Sequence, residues 1–266
     1  MRTPDETHIG HCRVIVALSG GKASAWCADW ALKNYPREDV VLYFNDTKWE
    51  HPDLYRFMAE LGTHFKHQII VDSDGRNPEE LFMDNRALAS NQMPFCSRIL
   101  KAERLQKYYE DGDVLVFGIG EDEEHRAKRI VGVYQLVAAK TGKFPKLIFP
   151  LISEKVTKKD IDKFLADAGI AEPIVYKLGF KHNNCAGGCV RAGAAHWALL
   201  LNKLPDIYRE RERVENRIRE HLKKDISYMK DETLSSLRDR IERQGVLFFD
   251  NDNTTEECIG ICESQA

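Results

Sequence analysis

No run of eighteen consecutive apolar residues occurs in this 266-residue sequence, so no segment reaches the length of a membrane-spanning helix. The opening residues, MRTPDETHIGHCR, lack the apolar core of a secretory signal. A surplus of charge is missing too. With 39 basic and 42 acidic side chains the net charge is −3, which argues against non-specific coating of nucleic acid but leaves room for a local basic face. There is no internal repeat. These absences lead to the expectation of a soluble, cytoplasmic protein with no membrane partner. Seven cysteines without a secretory signal point to thiol, metal or redox chemistry rather than a disulfide framework. At 43% hydrophobic residues the chain can bury a full core, and it needs neither metal nor disulfide merely to fold.

What is present alternates. Residues 13–18, 40–45, 67–71, 113–118 and 146–149 read as strands, with helical stretches at 23–34 and 52–65. Pro52 stands in the first turn of the second helix, where its missing N–H is no loss. Strands spaced by helices imply βαβ crossovers and a doubly wound, mostly parallel five-stranded α/β sheet. Residues 72–96 break the rhythm with Asp, Gly, Asn and Pro. Thr157 and Asp160 suggest a capping box that opens a short helix ending near residue 168. Residues 178–193 read as a loop, and 194–223 and 231–244 as helices whose Arg/Glu runs are solvated faces. The expected organisation is an α/β domain over residues 1–175, then a cysteine loop and helical region over 176–266.

The first strand runs into Ser19-Gly20-Gly21-Lys22-Ala23-Ser24 at a helix N-terminus. Unpaired N–H groups and the positive end of the helix dipole favour a phosphate there. Two glycines let the backbone close around phosphate oxygens, Lys22 adds charge, and Ser19 and Ser24 add hydroxyl donors. Neither the Walker spacing nor Gly-x-Gly-x-x-Gly fits. An ordinary strand–helix turn with a surface lysine is the plainer alternative, and the full combination speaks against it.

Ser-Gly-Gly-Lys-x-Ser after a first strand resembles the PP-loop of the ATP-pyrophosphatase superfamily. Residues 13–215 resemble its phosphoadenosine-phosphosulfate-reductase-like branch, through YFNDTKWEHPDLYRF, FCSRILKAERLQ, GIGEDEEHRAKR, FPLISEKVTKKDIDKFL and LGFKHNNCAGGCVRAG in that order. The resemblance implies an adenine-nucleotide alpha-hydrolase-like fold with a helical C-terminal extension. It also implies that Asn45, Asp46, Thr47, Lys101, Gly118 and Arg126 join Ser19, Gly20, Gly21, Lys22 and Ser24 around the nucleotide. His125 reads as a bystander. One departure stands out: Ala23 occupies the place of the family's loop aspartate, and Asp46 or Glu50 would have to supply the missing charge.

By resemblance, ATP is cleaved between its α and β phosphates to give an adenylated substrate and pyrophosphate, with Mg²⁺ and Lys22 stabilising the departing charge. The implied partners are an adenine nucleotide, an acceptor that is a nucleic acid or a small molecule, and a sulfur donor or reductase. The runner-up is a phosphoadenosine or adenosine phosphosulfate reductase. There a near-terminal cysteine, here Cys258 or Cys262 of EECIGICE, attacks the sulfate sulfur. The intact lysine favours ATP. A third alternative is a non-catalytic nucleotide-binding module of a nucleic-acid modification or defence system.

Cys12 and Cys27 flank the glycine loop in apolar surroundings and read as buried, inert thiols. Cys185 and Cys189 form a Cys-x₃-Cys pair among glycines. A structural zinc site takes four Cys or His ligands, for which His182 or His196 are candidates. A [4Fe–4S] cluster takes thiolates. Cys96, Cys185 and Cys189 supply three of them, with Cys262 or Cys258 as the fourth. The resemblance to sulfur-transferring PP-loop enzymes sets this reading ahead of zinc. A metal-free thiol pair carrying a persulfide, or five unrelated thiols, are the remaining alternatives.

Overall fold

Apolar runs in a βαβ chain are stable only when covered on both faces, and here both faces are covered. The computed structural model describes residues 12–244. Its strands are β1 (Val14–Leu18), β2 (Val40–Asn45), β3 (Ile69–Asp72), β4 (Val114–Phe117) and β5 (Lys146–Ile148). They form one five-stranded sheet in the order β3-β2-β1-β4-β5, with every pairing parallel.

Side chains alternate across the sheet. Val14, Val16, Leu18, Leu42 and Phe44 face α1 (Lys22–Asn34) and α2 (Pro52–Phe65). Ile15, Tyr43, Leu115 and Phe117 face the opposite side. Between β3 and β4 lie α3 (Pro78–Asp84), the short α4 (Phe95–Ser97), a π-helical turn (Arg98–Ala102) and α5 (Glu103–Tyr108). No helix is expected over residues 72–96, yet α3 forms there. Asn77 and Glu80 cap it reciprocally and Pro78 opens its first turn. Then α6 (Glu124–Thr141) leads to β5, followed by α7 (Pro150–Ser153) and α8 (Lys158–Asp167). The expected Thr157–Asp160 capping box opens α8.

The remaining helices are α9 (Ile174–Lys177), α10 (Ala194–Lys203), α11 (Pro205–Leu222) and α12 (Leu234–Gln244). The single helix expected over 194–223 is therefore two. Leu204 is forced out of helical geometry (φ −138°) by the following Pro205, which starts the next helix.

A third core gathers Trp197, Tyr208 and Tyr228 with Trp49 and Phe82. It corrects the expectation that the Arg/Glu runs are solvated, because Arg211, Glu212 and Glu215 are buried. Each has a partner that makes burial tolerable. The Arg211 guanidinium lies 3.7 Å from the Trp49 ring centroid. Glu212 accepts from Arg238 at 3.1 Å, and Glu215 accepts the N–H groups of Tyr228 (2.9 Å) and Leu234 (2.7 Å). A second correction concerns Cys12. It immediately precedes β1, where its thiol donates to the Gly112 carbonyl, and it is exposed. Cys27 is buried in the core, as expected. Among the described residues no helix is long and apolar enough to cross a membrane.

Candidate functional site

The strand order reverses between β1 and β4. The helix after β1 packs on one face and the helix after β4 on the other. In an open parallel sheet that reversal leaves a crevice at the carboxyl ends, where ligands bind. Two glycines shape it. Gly20 takes φ +79°, and a Cβ on Gly118 would fall 2.7 Å from the Ser24 backbone nitrogen, so the end of β4 presses directly on the first turn of α1. Gly21 caps α1 without a side chain, leaving first-turn N–H groups without a side-chain partner.

The two loop serines differ in use. Ser24 is buried and closes the loop on itself, accepting from the Ser19 N–H (3.1 Å) and donating to the Gly21 carbonyl (3.0 Å). Ser19 is half-buried, its hydroxyl 3.2 Å from that of Ser24. Lys22 is engaged as well. Its ammonium donates to Asp162 on α8 (2.7 Å) and to Glu172 (2.8 Å), above the Tyr176 ring. Desolvation pulls its pKa down, but the two carboxylates outweigh that and raise it. Asp162 falls within the FPLISEKVTKKDIDKFL segment, but nothing in the sequence pairs it, Glu172 or Tyr176 with Lys22.

Beside the loop, the turn after β2 presents Asn45, Asp46, Thr47 and Glu50. Asn45 donates to the Tyr43 hydroxyl (3.3 Å). Asp46 accepts from the Lys48 N–H and the Tyr55 hydroxyl, both at 2.8 Å and both on Oδ1, so one carboxylate oxygen shapes the turn. Glu50 has a wholly buried side chain. Its Oε1 accepts from Thr47 (2.9 Å) and Lys101 (3.4 Å), and its Oε2 accepts the Cys185 N–H at 2.8 Å. Lys101 comes from the π-helical turn, a form often found at functional sites. Arg126 is fully buried on α6 and paired with Glu123.

The cysteine segment folds back onto both of these elements. Asn183 donates to the Gly20 carbonyl at 3.0 Å, while its own Oδ1 is buried without a hydrogen-bond partner. Cys96, Cys185 and Cys189 line one small cavity of about 20 Å³ together with Thr47 and Lys101. Hydrogen bonding to Cys189, desolvation and the Glu50 carboxylate push the Cys185 thiol well above its usual range, against the pull of Lys101. His196 points a ring nitrogen at the Gly187 carbonyl (2.7 Å) and so holds the turn. Desolvation keeps its pKa low. Among the described residues no three His, Cys, Asp or Glu side chains are grouped to hold a metal ion. Cys258 and Cys262 lie outside the described residues.

The arrangement can seat a phosphate chain against α1, hold the rest of a nucleotide along the β1/β4 crevice, and set thiols at its rim. Compared with protein families, residues 13–190 match the phosphoadenosine phosphosulfate reductase domain. Among curated proteins, none matches. The matched span runs from β1 through the glycine loop to the cysteine turn and takes in every element of this crevice, so the chain belongs to the phosphoadenosine phosphosulfate reductase domain family, within the PP-loop ATP-pyrophosphatase superfamily.

Proposed function

We propose that the chain binds ATP in the β1/β4 crevice and activates an acceptor by adenylation, releasing pyrophosphate, with thiol or sulfur chemistry at the cavity of Cys96, Cys185 and Cys189. The observation that supports it is that Thr47 and Lys101, which the family resemblance assigns to the nucleotide, line the same cavity as the three thiols. In this reading the first-turn N–H groups of α1 and the Ser19 hydroxyl receive phosphate oxygens. Lys22 exchanges its carboxylates for the pyrophosphate as charge builds there. The glycine at 118 keeps the crevice open to a nucleotide by letting β4 approach α1.

Mg²⁺ would supply further positive charge to the phosphates. Among the described residues no three His, Cys, Asp or Glu side chains are grouped to cage it, and Ala23 stands where the family's loop has an acid. The ion would travel mainly with the nucleotide, as Mg²⁺ commonly does. An iron–sulfur cluster needs a fourth thiolate beyond the three at the cavity, and Cys258 or Cys262 would have to bring it.

A second reading, reduction of a sulfonucleotide, is favoured by the family match itself. Its nucleophile would be Cys258 or Cys262. Pyrophosphate release from ATP tests the first reading, and sulfite release from a sulfonucleotide tests the second.

A further inference from the structure

A buried carboxylate is tolerated where hydrogen bonds satisfy both its oxygens, and it can then fix distant segments in one arrangement. Glu50 belongs to no helix or strand, yet its side chain is fully enclosed. One of its oxygens binds the Thr47 hydroxyl and the other binds the Cys185 N–H, 135 residues away. The segment it holds is strained. Cys185 (φ +51°) and Ala186 (φ +56°) are consecutive left-handed residues that carry side chains, and Gly187 (φ +82°) follows. Such backbone persists only where the surroundings over-determine it. On its other side, the Cys185 carbonyl receives Arg211 at 3.4 Å, and that guanidinium stacks on Trp49, next to Glu50 in the chain. The peptide groups flanking Cys185 are thus gripped from both sides, once by an anion and once by a cation.

We propose that Glu50 is the positioning residue of the cysteine turn: by accepting the Cys185 N–H it fixes Cys185 and Cys189 on the cavity wall and ties that turn to Thr47. The functional sense of the tether rests on the nucleotide reading above, whereas the tether itself does not. Glutamine at position 50 still offers a carbonyl oxygen to the Cys185 N–H and an amide to the Thr47 hydroxyl, while alanine offers neither.

The test is site-resolved alkylation of the full chain by iodoacetamide, without nucleotide, followed by mass spectrometry. Cys27, buried in the sheet core, reports on the integrity of the whole fold. In Glu50→Ala, Cys185 and Cys189 should react about tenfold faster than in wild type, the effect of losing one hydrogen bond to a charged group. Glu50→Gln should stay within about threefold of wild type, and Cys27 should remain protected throughout. Three results would overturn the proposal: unchanged rates in Glu50→Ala, an equal rise in Glu50→Gln (charge rather than the tether then governs), or exposure of Cys27 in step with Cys185. Should the alanine variant not accumulate, hydrogen exchange at the Cys185 amide decides. Protection in both wild type and Glu50→Gln supports the tether, and free exchange in wild type refutes it. Because no nucleotide is present, failure here leaves ATP binding untouched, and failure of ATP binding leaves these rates as stated.

Discussion

The Lys22 ammonium lies 2.7 Å from the Asp162 carboxylate, so the lysine of the glycine loop is held across 140 residues of sequence by α8. A phosphate chain arriving at the loop competes with that carboxylate and with Glu172. Two variants should therefore move affinity in opposite directions. Lys22→Ala loses a charge-assisted phosphate contact, so ATP should bind about ten- to a hundredfold more weakly. Asp162→Asn removes one of the two competing carboxylates, leaving Glu172, and should tighten binding severalfold. Calorimetric titration with ATP reads both, and a Lys22→Ala affinity equal to wild type would remove this lysine from the site.

Gly118→Ala places a methyl group 2.7 Å from the Ser24 backbone nitrogen. The obstacle is backbone at the start of a helix and cannot rotate away. The expected cost is about 1–3 kcal/mol of stability, seen as a lower denaturation midpoint, together with weakened ATP binding as β4 and α1 are pushed apart. A Gly118→Ala protein with wild-type stability would mean that the two elements are not in this contact.

Burial pushes the Glu215 carboxyl up to about 7 from its ordinary 4.5, although the N–H groups of Tyr228 and Leu234 pull the other way. The folded state therefore binds this proton more tightly than the unfolded chain, and the stability it contributes is full below pH 4.5 and lost as pH rises through about 7. Over that window the contribution falls by about 3 kcal/mol. Glu215→Gln should flatten this part of the pH–stability curve, and an identical slope in wild type and variant would show that Glu215 is not its source.

The thiols make a separate prediction. If Cys96, Cys185 and Cys189 form a cluster with a tail cysteine, anaerobically purified protein should carry stoichiometric iron, and Cys189→Ser should lose it. Iron and zinc both absent, with all three thiols titrating freely, would leave only the metal-free thiol chemistry.

Much of the scaffold could be read from residues alone. β2 and α2 have the expected bounds, because VVLYFN is a continuous apolar run and Pro52 marks a helix start. The convergence of Cys96 with Cys185 and Cys189 on one cavity was legible only through the family resemblance. Other features were hidden for physical reasons. Arg211 and Glu215 look like surface letters, and their burial depends on Trp49 and on backbone N–H groups that no local pattern announces. Around the start of α3, Asp74, Gly75, Asn77 and Pro78 also favour turns, and that signal masked the capping box of Asn77 and Glu80. The partners of Lys22 lie 140 and 150 residues away, and no local pattern pairs them with the loop.

On the ATP reading, the crevice breaks the nucleotide at its α phosphate. Product analysis of α-labelled ATP, incubated with the full chain and Mg²⁺ and with water as a slow acceptor, tests it most directly. AMP and pyrophosphate in equal amounts are expected, and both should fall together in Lys22→Ala. ADP with phosphate, or intact ATP alongside sulfite released from a sulfonucleotide, would contradict the claim.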